Sequence, residues 1–235
     1  MTANEILIEL EKYGDAQTKK TLLKHGAREP FFGVKVGDLK KILKKTKKNH
    51  ELSLELYRTG NSDAMYLAGL MADEHKISES QLDEWIDKAY WFYLSEFAVP
   101  WVASETDFGF DIGLKWTQSD QERIASAGWV TLAYYAGVNE DKDLDIQAYS
   151  QLLDKVVQEI HHSQNRVRFA MNGFVIAMAV FIKDLTDKAN TVADKIGKVS
   201  VDMNGTASKV PLATEYIHKA IEMGQVGKKR KTARC

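Results

Sequence analysis

Proline occurs only at positions 30, 100 and 211, and the apolar residues of the long proline-free stretches recur at three- and four-residue spacing. A proline inside a helix removes a backbone bond and clashes with the preceding turn, so chains this poor in it keep long helices available. The chain is therefore expected to be all-α. Thr2 with Glu5 forms a capping-box signature ahead of Ile6, Leu7 and Leu10, and Gly14 supplies the stop. Further helices are predicted near 35–48, 50–58, 62–72, 79–89, 90–103, 108–117, 120–136, 145–161, 165–182, 185–196 and 211–223. Only Val199–Val201 resembles a strand.

Three helices echo one another. Ser62-Asp63, Ser119-Asp120 and Ser163-Gln164 each precede a helix with a central glycine, at Gly69, Gly128 and Gly173. The second and third starts lie 44 residues apart. Helix pairs repeating at about 40–47 residues are the HEAT or armadillo pattern, in which stacked antiparallel pairs form a curved solenoid. A compact orthogonal bundle is the competing architecture. Residues 1–226 are expected to form one such domain, and 227–235 a frayed basic tail.

Thirty-two basic residues nearly balance 33 acidic ones, but the signs are unevenly spread. Lys35 to Lys48 holds seven lysines against Asp38 alone, and Lys228 to Arg234 holds five bases and no acid. Asp73 to Asp87 is acidic, with Lys76 its only lysine or arginine. Such segregation suits an anionic polymer, although a lysine-rich helix face is also an ordinary solvated surface. The single cysteine, Cys235, allows no internal disulfide. The N-terminus is acidic and amphipathic, and no apolar run reaches membrane-spanning length, so a cytoplasmic protein without a membrane partner is expected.

The most unusual stretch is Ala89 to Ser104, where Glu96 is the only charged side chain among five aromatic rings before it and around it, Tyr90, Trp91, Phe92, Tyr93 and Phe97, with Trp101 beyond. On a helix Phe92 and Glu96 share a face, with Trp91 at its border. A carboxylate beside aromatic faces suits a cationic base, because it would stabilise an oxocarbenium-like sugar and orient water for N-glycosidic hydrolysis. The plainer reading is that the rings are core and Glu96 reaches solvent or pairs with an arginine. Arg123, Arg166 and Arg168 lie in the first turns of two echoed helices, where they would grip phosphate or pair with carboxylates of the fold. His161-His162 point in different directions and match no metal spacing. Gly224-Gln-Val-Gly-Lys228 lacks the spacing and the preceding strand of a phosphate loop, and Asn204-Gly-Thr206 is a sequon expected to be simply a loop.

Phe31-Phe-Gly-Val-Lys-Val-Gly-Asp-Leu-Lys-Lys-Ile42, the Glu96 segment and Asn165-Arg-Val-Arg-Phe-Ala-Met-Asn172 together resemble the AlkD-like DNA alkylation repair family, over roughly residues 5–222. The Val199-Ser-Val-Asp202 segment, with Thr206, Lys209, Pro211 and Tyr216-Ile217, resembles the C-terminal pattern of one branch of it. The resemblance implies a HEAT-like solenoid that holds duplex DNA in a concave basic groove and, in active members, hydrolyses the glycosidic bond of cationic N3- or N7-alkylated purines without metal or organic cofactor. It implies Glu96 as the catalytic carboxylate, where active members carry an aspartate. Trp91, Phe92 and Phe174 would contact the lesion, and Lys35, Arg123, Arg166 and Arg168 the phosphates. Phe92 stands where a tryptophan is expected, and a third aromatic falls near Gly173, with Phe174 its nearest substitute. The expected partner is therefore DNA, damaged or branched, bound by a monomer. The alternatives are recognition of damaged, bent or branched DNA by shape without bond cleavage, and a helical-repeat scaffold for protein partners.

Overall fold

A computed structural model describes all residues, 1–235. Thirteen α-helices follow in order: α1 Ala3–Lys12, α2 Ala16–Lys24, α3 Val36–Thr46, α4 His50–Arg58, α5 Ser62–Met71, α6 Glu79–Lys88, α7 Val99–Ser104, α8 Gly109–Thr117, α9 Glu122–Val138, α10 Ile146–Glu159, α11 Asn165–Phe181, α12 Thr186–Ile196 and α13 Ala213–Glu222. A π-helical turn, Leu94–Ala98, leads into α7. The capping box at Thr2 and Glu5 is present. Asp15, Asn49, Asn61 and Asp145 cap other helices by accepting from backbone N–H groups that have no partner within the helix. The segment at Val199–Val201 forms no strand; the one β-bridge joins Gly14 and Val34. No single helix is long and apolar enough to cross a membrane.

The helices stack as pairs. α5, the π turn with α7, α9, α11 and α13 form one row in which each packs on the next. α4 packs on α5, α8 on α9, and α10 and α12 against α11 and each other, making the second layer. This is the solenoid arrangement that the echoed helix starts predict, and its repeat is visible as direct contact. The Gln164 amide donates to the Asp120 carbonyl at 3.0 Å, and the Arg166 N–H donates to Glu122 Oε1 at 2.7 Å, each pair 44 residues apart.

The glycines of the echo explain how tightly the row stacks. A Cβ on Gly128 would lie 2.4 Å from the Thr117 nitrogen, and one on Gly69 2.6 Å from the Ala98 carbonyl oxygen. Those helices approach at backbone distance because no side chain intervenes. Gly173 is different: a Cβ there meets nothing within 4 Å.

At the N-terminal end, buried Asp63 fixes the Phe31–Val34 loop to α5. Its carboxylate accepts from the N–H groups of Phe32 at 2.6 Å, Gly33 at 3.0 Å and Val34 at 3.1 Å. Burial nonetheless pushes the Asp63 carboxyl above its ordinary value.

The tail corrects the sequence reading, which expects it to fray. Gly227 N–H donates to the Val180 carbonyl, and Arg230 N–H to that of Gly137. The Lys229 ammonium meets the Ala136 carbonyl and the Asp141 carboxylate. Ala233 is buried, and Glu105 accepts from its N–H and from the Thr232 hydroxyl. Arg234 bridges Glu74 at 2.9 Å and Glu105 at 3.2 Å. The segment is thus a strap across the C-terminal ends of α11, α9 and α7. Its donors satisfy last-turn carbonyls that a helix leaves unpaired, and its cations lie at the negative ends of the helix dipoles.

Candidate nucleic-acid interface

The Glu96 backbone belongs to the π-helical turn, and Pro100 accounts for it. Proline has no N–H to donate to the Glu96 carbonyl four residues back. The chain takes an extra residue into the turn instead, and the Val99 N–H reaches Leu94, five residues back. Such bulges re-aim the side chains they carry.

Glu96 is 3% exposed, and its side chain is paired with Arg166 through both carboxylate oxygens. Arg166 Nε donates to Oε1 at 2.7 Å, and Nη2 donates to Oε2. The guanidinium also lies between two aromatic faces, 4.8 Å from the centroid of Phe92 and 4.5 Å from that of Phe169. Burial pushes the Glu96 carboxyl above its ordinary value; the Arg166 charge pulls it back, and Glu122 adds to the rise. Arg166 is held by a fork of hydrogen bonds, two rings and its own backbone bond to Glu122. Its guanidinium is committed to the fold rather than presented to a phosphate, which corrects the sequence assignment.

The expected site residues separate into two groups. Glu96, Phe92 and Arg166 meet directly, and Trp91 stands beside them with its ring 5.4 Å from that of Phe92. Trp91 itself is buried: its indole N–H donates to the Ser62 hydroxyl at 2.9 Å, and its ring stacks on Tyr93. It is a wall of the site and not a face offered to a base. Phe174 is fully buried between Trp129 and Tyr149, so it cannot substitute for the aromatic missing at Gly173. Neighbouring positions on a helix point about 100° apart, and Phe174 takes the core side.

Among the cationic candidates, Lys35 is largely exposed, 3.5 Å from Asp15 at the opposite end of the row from α13. Arg168 is half-buried, with a long 3.4 Å contact to Asn165 and its Nε unpaired. Arg123 reaches the Asp87 carboxylate at 2.9 Å. It borders a cleft of about 590 Å³ shared with Arg28, Arg58, Lys88 and Tyr90, in which Arg28 lies 4.3 Å over the Tyr90 ring. Sequence reasoning missed this cluster. Its members come from four separate segments, and no spacing joins them. Arg123 is paired with Asp87 and Lys88 with Glu84, whereas Arg28 and Arg58 have no carboxylate partner, and these two make the cleft a place where phosphate would be attracted.

The family model for DNA alkylation repair enzymes matches residues 6–189. An uncharacterised protein of Listeria innocua is 32% identical over 226 residues, covering 94% of this chain and 97% of its own. An uncharacterised protein of Listeria monocytogenes is 33% identical over the same length and coverage. A solved structure from a family of proteins related to the HEAT-like repeat DNA glycosylases, with affinity for branched DNA structures, superposes with a TM-score of 0.93 at 40% identity over 100% of both chains.

Proposed function

Because this chain belongs to the DNA alkylation repair enzyme family, with the HEAT-like repeat fold of its solved relative, we propose that it binds branched DNA by shape and charge and does not excise bases through Glu96. The observation that carries this reading is the Glu96–Arg166 pair. A carboxylate that stabilises a sugar cation or activates water needs an oxygen facing the substrate, and both oxygens here are bonded to one guanidinium. The extra methylene of glutamate and the absence of an aromatic at Gly173 point the same way. The affinity of the solved relative's family for branched DNA supports the choice of ligand.

In this reading the Arg28, Arg58 and Arg123 cleft, with Lys35 and Arg168, supplies phosphate contacts, and the relative placement of these cations selects the angle between duplex arms. The test is binding to a four-way junction, a three-way junction and linear duplex of equal length across a salt series. The same protein and its Glu96→Gln variant are assayed for release of 7-methylguanine and 3-methyladenine from alkylated DNA. Junction preference with steep salt dependence and no release is the expected result. Release that disappears in Glu96→Gln would make the protein a glycosylase, and no DNA binding at low salt would favour a scaffold for protein partners.

A further inference from the structure

Between α9 and α11 lies a hollow of about 280 Å³ that adjoins the Glu96–Arg166 pair through Phe169 and extends away from it toward Phe181. Ten of its twelve lining residues are hydrophobic, among them Val130, Ala133, Phe169, Ile176 and Val180. Gly173 lies on its wall, exposed and with open space where a side chain would stand. Phe169 and Phe181, both lining residues, are twelve positions apart on α11, or about 18 Å along the helix axis. Each carries a guanidinium: Arg166 lies over Phe169, and Arg230 over Phe181. Arg166 is spent on Glu96, whereas Arg230 has no carboxylate partner and is exposed. The strap sets Arg230 there, because its N–H is fixed to the Gly137 carbonyl at 2.7 Å.

An apolar hollow with an unpaired cation at one rim matches a flat apolar group that carries an anion. Resting on the DNA-binding reading above, we propose that this hollow takes the unstacked base of an unpaired nucleotide at a DNA branch point, with Arg230 on the adjoining phosphate. A base inside a duplex is paired and stacked and is not available to such a site. A base at an imperfect junction costs little to withdraw. The hollow has no ring of hydrogen-bond donors and acceptors, so it accepts bases of any sequence, as stacking and apolar platforms do. It would thereby favour junctions that carry unpaired nucleotides over fully paired ones.

The experiment compares three ligands: linear duplex, a fully paired three-way junction, and the same junction with two unpaired nucleotides at its centre. The proteins are the wild type, Gly173→Leu and Arg230→Gln. Gly173→Leu fills the hollow from a position where a Cβ meets no neighbour, and a thermal melt confirms that it folds. Wild type is expected to favour the junction with unpaired nucleotides. Gly173→Leu is expected to lose that preference, by roughly fivefold to a hundredfold, while its duplex affinity stays unchanged. Arg230→Gln is expected to weaken junction binding and to lower the slope of log affinity against log salt by about one. A folded Gly173→Leu that keeps the wild-type preference, or a wild type that binds both junctions equally, would overturn the base site and leave branched-DNA binding standing. Failure of the wild type to bind any of the three would instead overturn the DNA-binding reading. A concentration-dependent dimer abolished by Gly173→Leu would assign the hollow to a second copy and overturn the proposal.

Discussion

Removing the Arg166 side chain charge, as in Arg166→Met, would leave the Glu96 carboxylate buried without its cation. Breaking a buried pair from one side costs about 3–5 kcal/mol, because the remaining charge has lost both water and partner. We expect a loss of that order at pH 7 by denaturant unfolding. The loss should shrink as the pH falls. With Arg166 gone, the burial that raises the Glu96 carboxyl above 4.5 acts unopposed, and the folded variant takes up a proton before the unfolded chain does. A deficit that stays constant from pH 7 to pH 4 would refute the account of Glu96 as an ion buried against Arg166. Both members of the pair stand out in the sequence, one as the lone acid among aromatics and the other as a helix-start arginine. Their pairing does not, because 70 residues separate them and no local spacing encodes it. Trp91 and Phe174 were legible as aromatics, but Ser62, Trp129 and Tyr149 decide that both rings are covered.

For the elements, helical periodicity recovers the long helices to within a few residues, and the 44-residue echo recovers their stacking. It misses α2, which buries none of its residues and therefore carries no apolar stripe to read. It also runs one helix through 90–103, where the proline breaks the ladder and a π turn intervenes. The central glycines show how far a sequence echo can be trusted. Gly69, Gly128 and Gly173 look equivalent, yet the first two admit a neighbouring backbone and the third opens on the hollow. Gly128→Ala should destabilise the protein by about 1–3 kcal/mol, since its Cβ would force α8 and α9 apart. Gly173→Ala should stabilise it by about 0.5–1 kcal/mol, the ordinary helix preference for alanine. Parallel denaturant melts read both, and a shared sign would contradict the packing described for the row.

At the scale of the whole molecule, the net charge of −1 says little, because two of the five cations at the chain's end, Lys229 and Arg234, are paired with carboxylates of the fold while Arg230 is left free. Glu74 shows what anchors the paired ones. Burial works against its ionisation, but Lys48 and Arg234 hold its carboxyl at about 2, below the ordinary 4.5. A carboxyl with a depressed folded value contributes stability above its unfolded value and loses it as the pH falls toward the folded one. Wild type should therefore be more stable than Glu74→Gln at pH 7, and the difference should vanish between about pH 4.5 and pH 2. Urea unfolding of both proteins across that range measures it, and a difference independent of pH would mean that the anchor is not ionic.

A solenoid is held together mainly by contacts between neighbouring repeats, so the effects of losing one segment stay local unless something spans the stack. The strap spans it: residues 228–235 follow α13 in sequence yet bury Ala233 in the N-terminal core and bond to Glu105 and Glu74. Ending the chain after Gly227 should therefore raise amide hydrogen exchange in α5 and α7, more than 120 residues away, and leave adjacent α13 nearly unchanged. A frayed, solubilising tail predicts no change in either place. Exchange that rises in α13 alone would show that the strap stabilises only its own attachment point.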